Sequence, residues 1–137
     1  MSGLTETMPA NVSGARPLRL LIVDDSNIMR RRIERSQQFE QLEVVGAAAN
    51  GIEALELFQR TDPDLVTMDL TMPQMDGIEC IERMVQLKPA VRILVISALA
   101  DKATAVDAME KGANGFLNKP FTDRQLNEAI AELMRAG

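Results

Sequence analysis

No histidine occurs among the 137 residues, and tryptophan and tyrosine are missing as well. The first absence removes imidazole acid–base chemistry, histidine metal ligands and every Ser-His or Cys-His nucleophile pair. A single cysteine, Cys80, rules out an internal disulfide, a usage that suits the reducing cytoplasm, the expected location. No run approaches the roughly eighteen consecutive apolar residues of a bilayer-spanning helix, so no membrane partner is expected. Residues 1–16 lack the basic start and apolar centre of a secretory signal. Basic excess is absent too: the net charge is −5, which argues against direct nucleic-acid binding, since that draws on basic surface. Any chemistry must fall to carboxylates, hydroxyls and lysines.

What is present is enough for one core, with apolar residues at 46%. Residues 1–17 carry Ser, Thr, Gly, Asn and Pro without an apolar period and read as a flexible N-terminal tail ahead of a domain at 18–137. From Leu18 the texture alternates. Short apolar, partly β-branched runs at 18–23, 42–49, 65–68, 91–96 and 115–117 look like strands buried on both faces. Helix-period segments lie between them. Ile52, Leu55 and Phe58 share a face, as do Ile78, Ile81 and Val85, and Ala103, Val106 and Met109. The segment 28–37 places Ile28, Met29 and Ile33 inward and Arg30, Arg31, Arg32 and Arg35 on a solvated face. Thr122 and Gln125 frame a capping box, after which Leu126, Ile130 and Leu133 face inward. Strands alternating with helices imply a doubly wound α/β domain, a five-stranded parallel sheet with five helices. Ligands of such sheets sit at the carboxyl ends of the strands.

Those ends carry a particular set. Asp24 and Asp25 follow the first strand, Asp69 the third, Ser97 ends the fourth, and Lys119 with Pro120 follows the fifth. Crowded carboxylates raise one another's pKa unless a cation neutralises them. An all-oxygen cluster without His or Cys suits a hard ion such as Mg²⁺. With Lys119 and the Ser97 hydroxyl, the set fits phosphoryl transfer to a carboxylate, where charge on the equatorial oxygens must be positioned and neutralised.

The segments Val23-Asp24-Asp25-Ser26, Asp69-Leu-Thr-Met-Pro73 with Asp76-Gly77, Ile96-Ser97-Ala98 and Asn118-Lys119-Pro120-Phe121 resemble the receiver domain of two-component response regulators, in order and in spacing. The likeness runs from about Leu18 to about Leu133, and the entry into the first helix is similar to stand-alone chemotaxis-type regulators. It implies a flavodoxin-like fold and a signalling switch, a phosphoprotein that assists its own phosphotransfer and dephosphorylation rather than an enzyme. Asp69 would be the phosphoacceptor. Asp25, Asp69 and the Thr71 main-chain carbonyl would hold Mg²⁺, with Asp24 acting largely through water. Ser97 and Phe116 would form the switch pair, and Lys119 would contact the phosphoryl group ahead of a cis bond to Pro120. The implied donor is a histidine kinase or a histidine phosphotransfer protein, docking at the first helix beside Ile28 and Met29. The implied target is a protein met by the fourth helix, last strand and last helix.

Competing classes fail at named positions. A dinucleotide-binding enzyme wants glycines where Asp24-Asp25-Ser26-Asn27 stands. A haloacid-dehalogenase-type phosphatase wants an acid where Thr71 stands. Two alternatives stay open: a receiver segment of a longer regulator, and a receiver that binds partners without phosphorylation.

Overall fold

The structure is a computed structural model, and it describes residues 16–99 and 101–135. The expected flexible tail therefore falls almost wholly outside the described residues. Five strands alternate with five helices: β1 (Leu18–Val23), α1 (Asn27–Ser36), β2 (Leu42–Ala48), α2 (Gly51–Thr61), β3 (Leu65–Met68), α3 (Gly77–Leu87), β4 (Arg92–Ser97), α4 (Lys102–Glu110), β5 (Gly115–Asn118) and α5 (Asp123–Arg135). All strand pairs are parallel, in the order β2-β1-β3-β4-β5. The chain runs outward from β1 to β2, then crosses back to β3. The reversal leaves a crevice at the carboxyl ends of β1 and β3.

Strand alternation divides the core between the sheet faces. Leu21, Val23, Val66, Met68, Ile93 and Val95 pack with Ala54, Phe58, Ile81, Met84 and Ala108. Leu20, Ile22, Leu65, Leu94 and Ile96 pack with Ile33, Leu126, Ile130 and Leu133 on the other side. Burial on both faces holds for β3 throughout and for most of β1 and β4. It does not hold for β2 and β5, which end the sheet on either side and leave residues partly exposed.

Helix starts follow their capping chemistry. Ser26, Asn50, Asp76 and Asp101 each accept a hydrogen bond from the amide three residues on, worth about 1 kcal/mol apiece. The α5 capping box is reciprocal: the Gln125 amide donates to Thr122 Oγ1 at 3.1 Å, and the Thr122 amide donates to Gln125 Oε1 at 2.9 Å.

Three helical faces depart from expectation. In α2 the buried side is Gly51, Ala54 and Phe58, while Ile52 is half exposed. The added Cβ of any other residue at Gly51 would come within 2.6 Å of Met75 Cβ, so closeness of approach rather than hydrophobicity selects that side. In α4 the stripe Val106 and Met109 faces outward and Ala108 alone is buried. In α1 Ile33 is buried but Ile28 is 79% exposed. Met29 keeps partial contact with the core.

Candidate functional site

The crevice at the carboxyl ends of β1 and β3 gathers Asp24, Asp25 and Asp69. One carboxylate oxygen from each lies within 4.8 Å of the others. Asp24 and Asp69 are buried, at 1% and 5% exposure, whereas Asp25 is open to solvent. Sheet continuation sets the backbone: the Asp24 amide donates to the Ala48 carbonyl at 3.0 Å and the Asp69 amide to the Val23 carbonyl at 2.9 Å.

Both Asp24 oxygens are engaged. Oδ1 accepts from the Ser26 amide at 2.9 Å, and Oδ2 accepts from Lys119 Nζ at 2.8 Å. Lys119 Nζ also lies 3.7 Å from Asp69 Oδ1. Asp69 Oδ1 takes a long 3.4 Å hydrogen bond from the Thr71 amide. Burial, and then the negative charge of Asp24, push the Asp69 carboxyl up from 3.8 to about 6, against the opposing pull of Lys119 and the Thr71 amide. A carboxylate so placed is ionised at neutral pH but poorly compensated.

Ser97 reaches the same rim, its carbonyl accepting from the Lys119 amide at 3.0 Å. Its buried hydroxyl accepts from the Leu99 amide at 3.1 Å. Phe116, beside Val95 in the β4–β5 ladder, is half buried against the core. The Lys119–Pro120 peptide bond is cis. Thr71 stands in the loop after β3, its side chain exposed.

Gly77 has a steric role that the sequence reading does not assign. Any Cβ there would collide with the Asp69 carbonyl oxygen, so only glycine lets α3 begin this close to the site; the Asp76-Gly77 pair at a helix start is the available signal. Two of the four arginines expected on a solvated face are instead tied down. Arg30 Nη1 donates to the Asp24 carbonyl at 2.7 Å, and Arg32 Nη2 to the Phe121 carbonyl at 2.6 Å. Cys80 is fully buried and burial pushes its thiol up to about 12, which leaves it inert.

Three clustered oxygen donors, two of them buried and offset by a single ammonium, match the needs of a small hard divalent cation. Fold and site together define a doubly wound domain with an acidic rim and a partly neutralised aspartate at its topological switch point.

Comparison with known proteins names the family. The sequence profile of the response regulator receiver domain matches residues 20–131, and the chain belongs to that family. It is 40% identical over 113 residues to the chemotaxis protein CheY of Listeria monocytogenes, covering 82% of this chain and 95% of that one. It is 42% identical over 124 residues to a protein-glutamate methylesterase/protein-glutamine glutaminase of Photobacterium profundum, covering 86% of this chain but 31% of that protein. Among solved structures, the CheX-CheY-BeF3-Mg complex from Borrelia burgdorferi contains a chain similar to this one, with a TM-score of 0.83, 30% identity, and coverage of 89% and 92%. The expected five-stranded receiver fold is observed.

Proposed function

We propose that the chain is a single-domain, chemotaxis-type response regulator that accepts a phosphoryl group on Asp69. The observation that carries this is the placement of Asp69: buried at the end of β3, raised to about 6, with Lys119 Nζ at 3.7 Å and two further carboxylates beside it. Asp25, Asp69 and the Thr71 carbonyl would hold Mg²⁺, with Asp24 acting through water, and the ion when bound would neutralise phosphoryl oxygens.

An Asp69 oxygen attacks the phosphorus of a phosphohistidine on a histidine kinase or a phosphotransfer protein. The P–N bond breaks, its electron pair returns to the imidazole nitrogen, and an acyl phosphate remains on Asp69. Above pH 6 the nucleophile is mostly ionised and needs no general base, which accords with a chain that has no histidine. The Lys119 ammonium, shared between Asp24 and Asp69, turns to a phosphoryl oxygen, and the Ser97 hydroxyl donates to another in place of its bond from Leu99. Phe116 then fills the space Ser97 leaves, and the surface of α4, β5 and α5 changes shape for a protein target. Exposed Val106 and Met109 on α4 would offer that surface apolar contacts. Phosphorylation biases this equilibrium only through its unequal interaction with the two arrangements.

A second reading is favoured by the methylesterase similarity: the same switch as the receiver segment of a longer regulator. The test of the common core is labelling by acetyl phosphate with Mg²⁺. Incorporation that chelator and Asp69→Asn both abolish supports it; undiminished incorporation in excess chelator refutes it.

A further inference from the structure

We propose that Arg32 is a positioning residue for Lys119, clamping the loop after β5 onto α1 so that the ammonium is held over the acidic rim before any phosphoryl group arrives. This deepens the phosphoacceptor reading and rests on it.

The Lys119 loop is held at few places. The Lys119 amide bonds to the Ser97 carbonyl, and Phe121 is buried, at 5% exposure. Besides these and the Thr122–Gln125 capping box, Arg32 adds a hold from 89 residues away in sequence. Its Nη2 donates to the Phe121 carbonyl at 2.6 Å and lies 3.3 Å from Asp123 Oδ1. Its guanidinium lies over the Phe121 ring, 4.3 Å from the centroid. A charge-assisted hydrogen bond and a cation–π contact on one buried residue are each geometrically demanding, and a guanidinium meets both with a single plane.

The same helix also grips the other half of the site. Arg30 Nη1 donates to the Asp24 carbonyl at 2.7 Å. The segment bearing Asp24 and the loop bearing Lys119 thus hang from one rigid element, α1, through side chains two residues apart that leave it on different faces. That arrangement fixes the span that the Lys119–Asp24 bond closes at 2.8 Å. Asp123, at 62% side-chain exposure, adds little through its ion pair with Arg32. The carbonyl and the ring carry the clamp.

Preorganised charge lowers a barrier only where it is held in place, and a misplacement of about 1 Å costs up to about 100-fold. Loss of the clamp leaves Phe121 buried and the Lys119 amide bonded, so the loop loosens without leaving. A fall of about 10-fold in labelling rate is expected, smaller than the loss from Lys119→Ala itself.

The experiment is a double-mutant cycle on the full chain, reading the maximal labelling rate at saturating acetyl phosphate and Mg²⁺. Arg32→Met keeps the apolar stem and removes the donors. It should slow labelling about 10-fold, Arg32→Lys should recover part of the loss, and in a Lys119→Ala background Arg32→Met should change nothing further. A purely structural latch would impose the same fold-loss in both backgrounds, and that result overturns the proposal, as does a parental rate in Arg32→Met. If Arg32→Met does not fold, Arg32→Lys takes its place in the cycle: a slowing confined to the Lys119 background supports the clamp, and an equal slowing in both backgrounds, or none, overturns it. A parent that takes no label overturns the phosphoacceptor reading and the clamp with it, whereas a labelled parent with indifferent Arg32 variants overturns the clamp alone.

Discussion

Replacing Asp69 with Asn should stabilise the metal-free protein, and the gain should depend on pH. The carboxyl titrates at about 6 in the fold against 3.8 as a reference, so the folded state binds the proton more tightly than the unfolded chain. A carboxylate with a raised folded pKa contributes no penalty well below 3.8, where both states are protonated, and little at pH 4. The penalty grows as pH rises and is complete above about pH 6. At 1.36 kcal/mol per unit, the shift amounts to roughly 3 kcal/mol at neutral pH. Asn is nearly isosteric with the protonated acid and can still accept from the Thr71 amide, so most of this is recoverable. The loss of the Asp69 charge near Lys119 is already contained in the shift, since that attraction opposes it. Urea unfolding of parent and Asp69→Asn, in chelator at pH 7.5 and pH 4, measures the effect. We expect the variant to be more stable by about 1–3 kcal/mol at the higher pH, with the gap closing at the lower. Equal stability at pH 7.5, or a gap that persists at pH 4, would refute the electrostatic account of the site.

Further outcomes follow from the same geometry. Mg²⁺ should raise the stability of the parent by about 2.7 kcal/mol at 100 times its dissociation constant; calorimetric titration should show binding sharply weakened in Asp25→Ala. Ser97→Ala should still take phosphate, while the NMR shifts it produces around Met109, Phe116 and Leu126 shrink; full-size shifts there would remove Ser97 from the switch. Ile28→Ala should slow transfer from a phosphohistidine donor while leaving acetyl phosphate labelling unchanged, because Ile28 is exposed beside the rim and joins neither half of the core. Met29→Ala is expected to affect both through stability, since Met29 packs against the core.

Much of the fold was legible because interior parallel strands announce themselves as unbroken apolar runs, and β1, β3 and β4 are such strands. The site was legible for a related reason: once the strands are placed, Asp24, Asp69, Ser97 and Lys119 must share one edge, whatever their distance in sequence. Helical faces were harder. Periodicity found α2 and α4 but chose the larger apolar residues, Ile52, Val106 and Met109, as the inner side. The structure buries Gly51 and Ala54 beside Phe58, and Ala108 in α4; at Gly51 any Cβ would collide with Met75 of the loop before α3, a contact that periodicity does not reveal. Arg30 and Arg32 were expected on a solvated face, since a guanidinium reaching a main-chain carbonyl leaves no local spacing signal, and the Phe121 carbonyl lies 89 positions from its donor. The Thr67 hydroxyl is buried without a hydrogen-bond partner, a detail that the apolar reading of its strand conceals.

The central claim is that the carboxylate of residue 69 forms the acyl phosphate. Labelling the parent with acetyl phosphate and Mg²⁺, then reducing with borohydride, converts an aspartyl phosphate to homoserine and marks its position for peptide mass spectrometry. Homoserine should appear at position 69 in the parent, in proportion to the phosphate incorporated, and be absent from Asp69→Asn. Homoserine at Asp24 or Asp25 in the parent, or phosphate incorporation that yields none at position 69, would contradict the account.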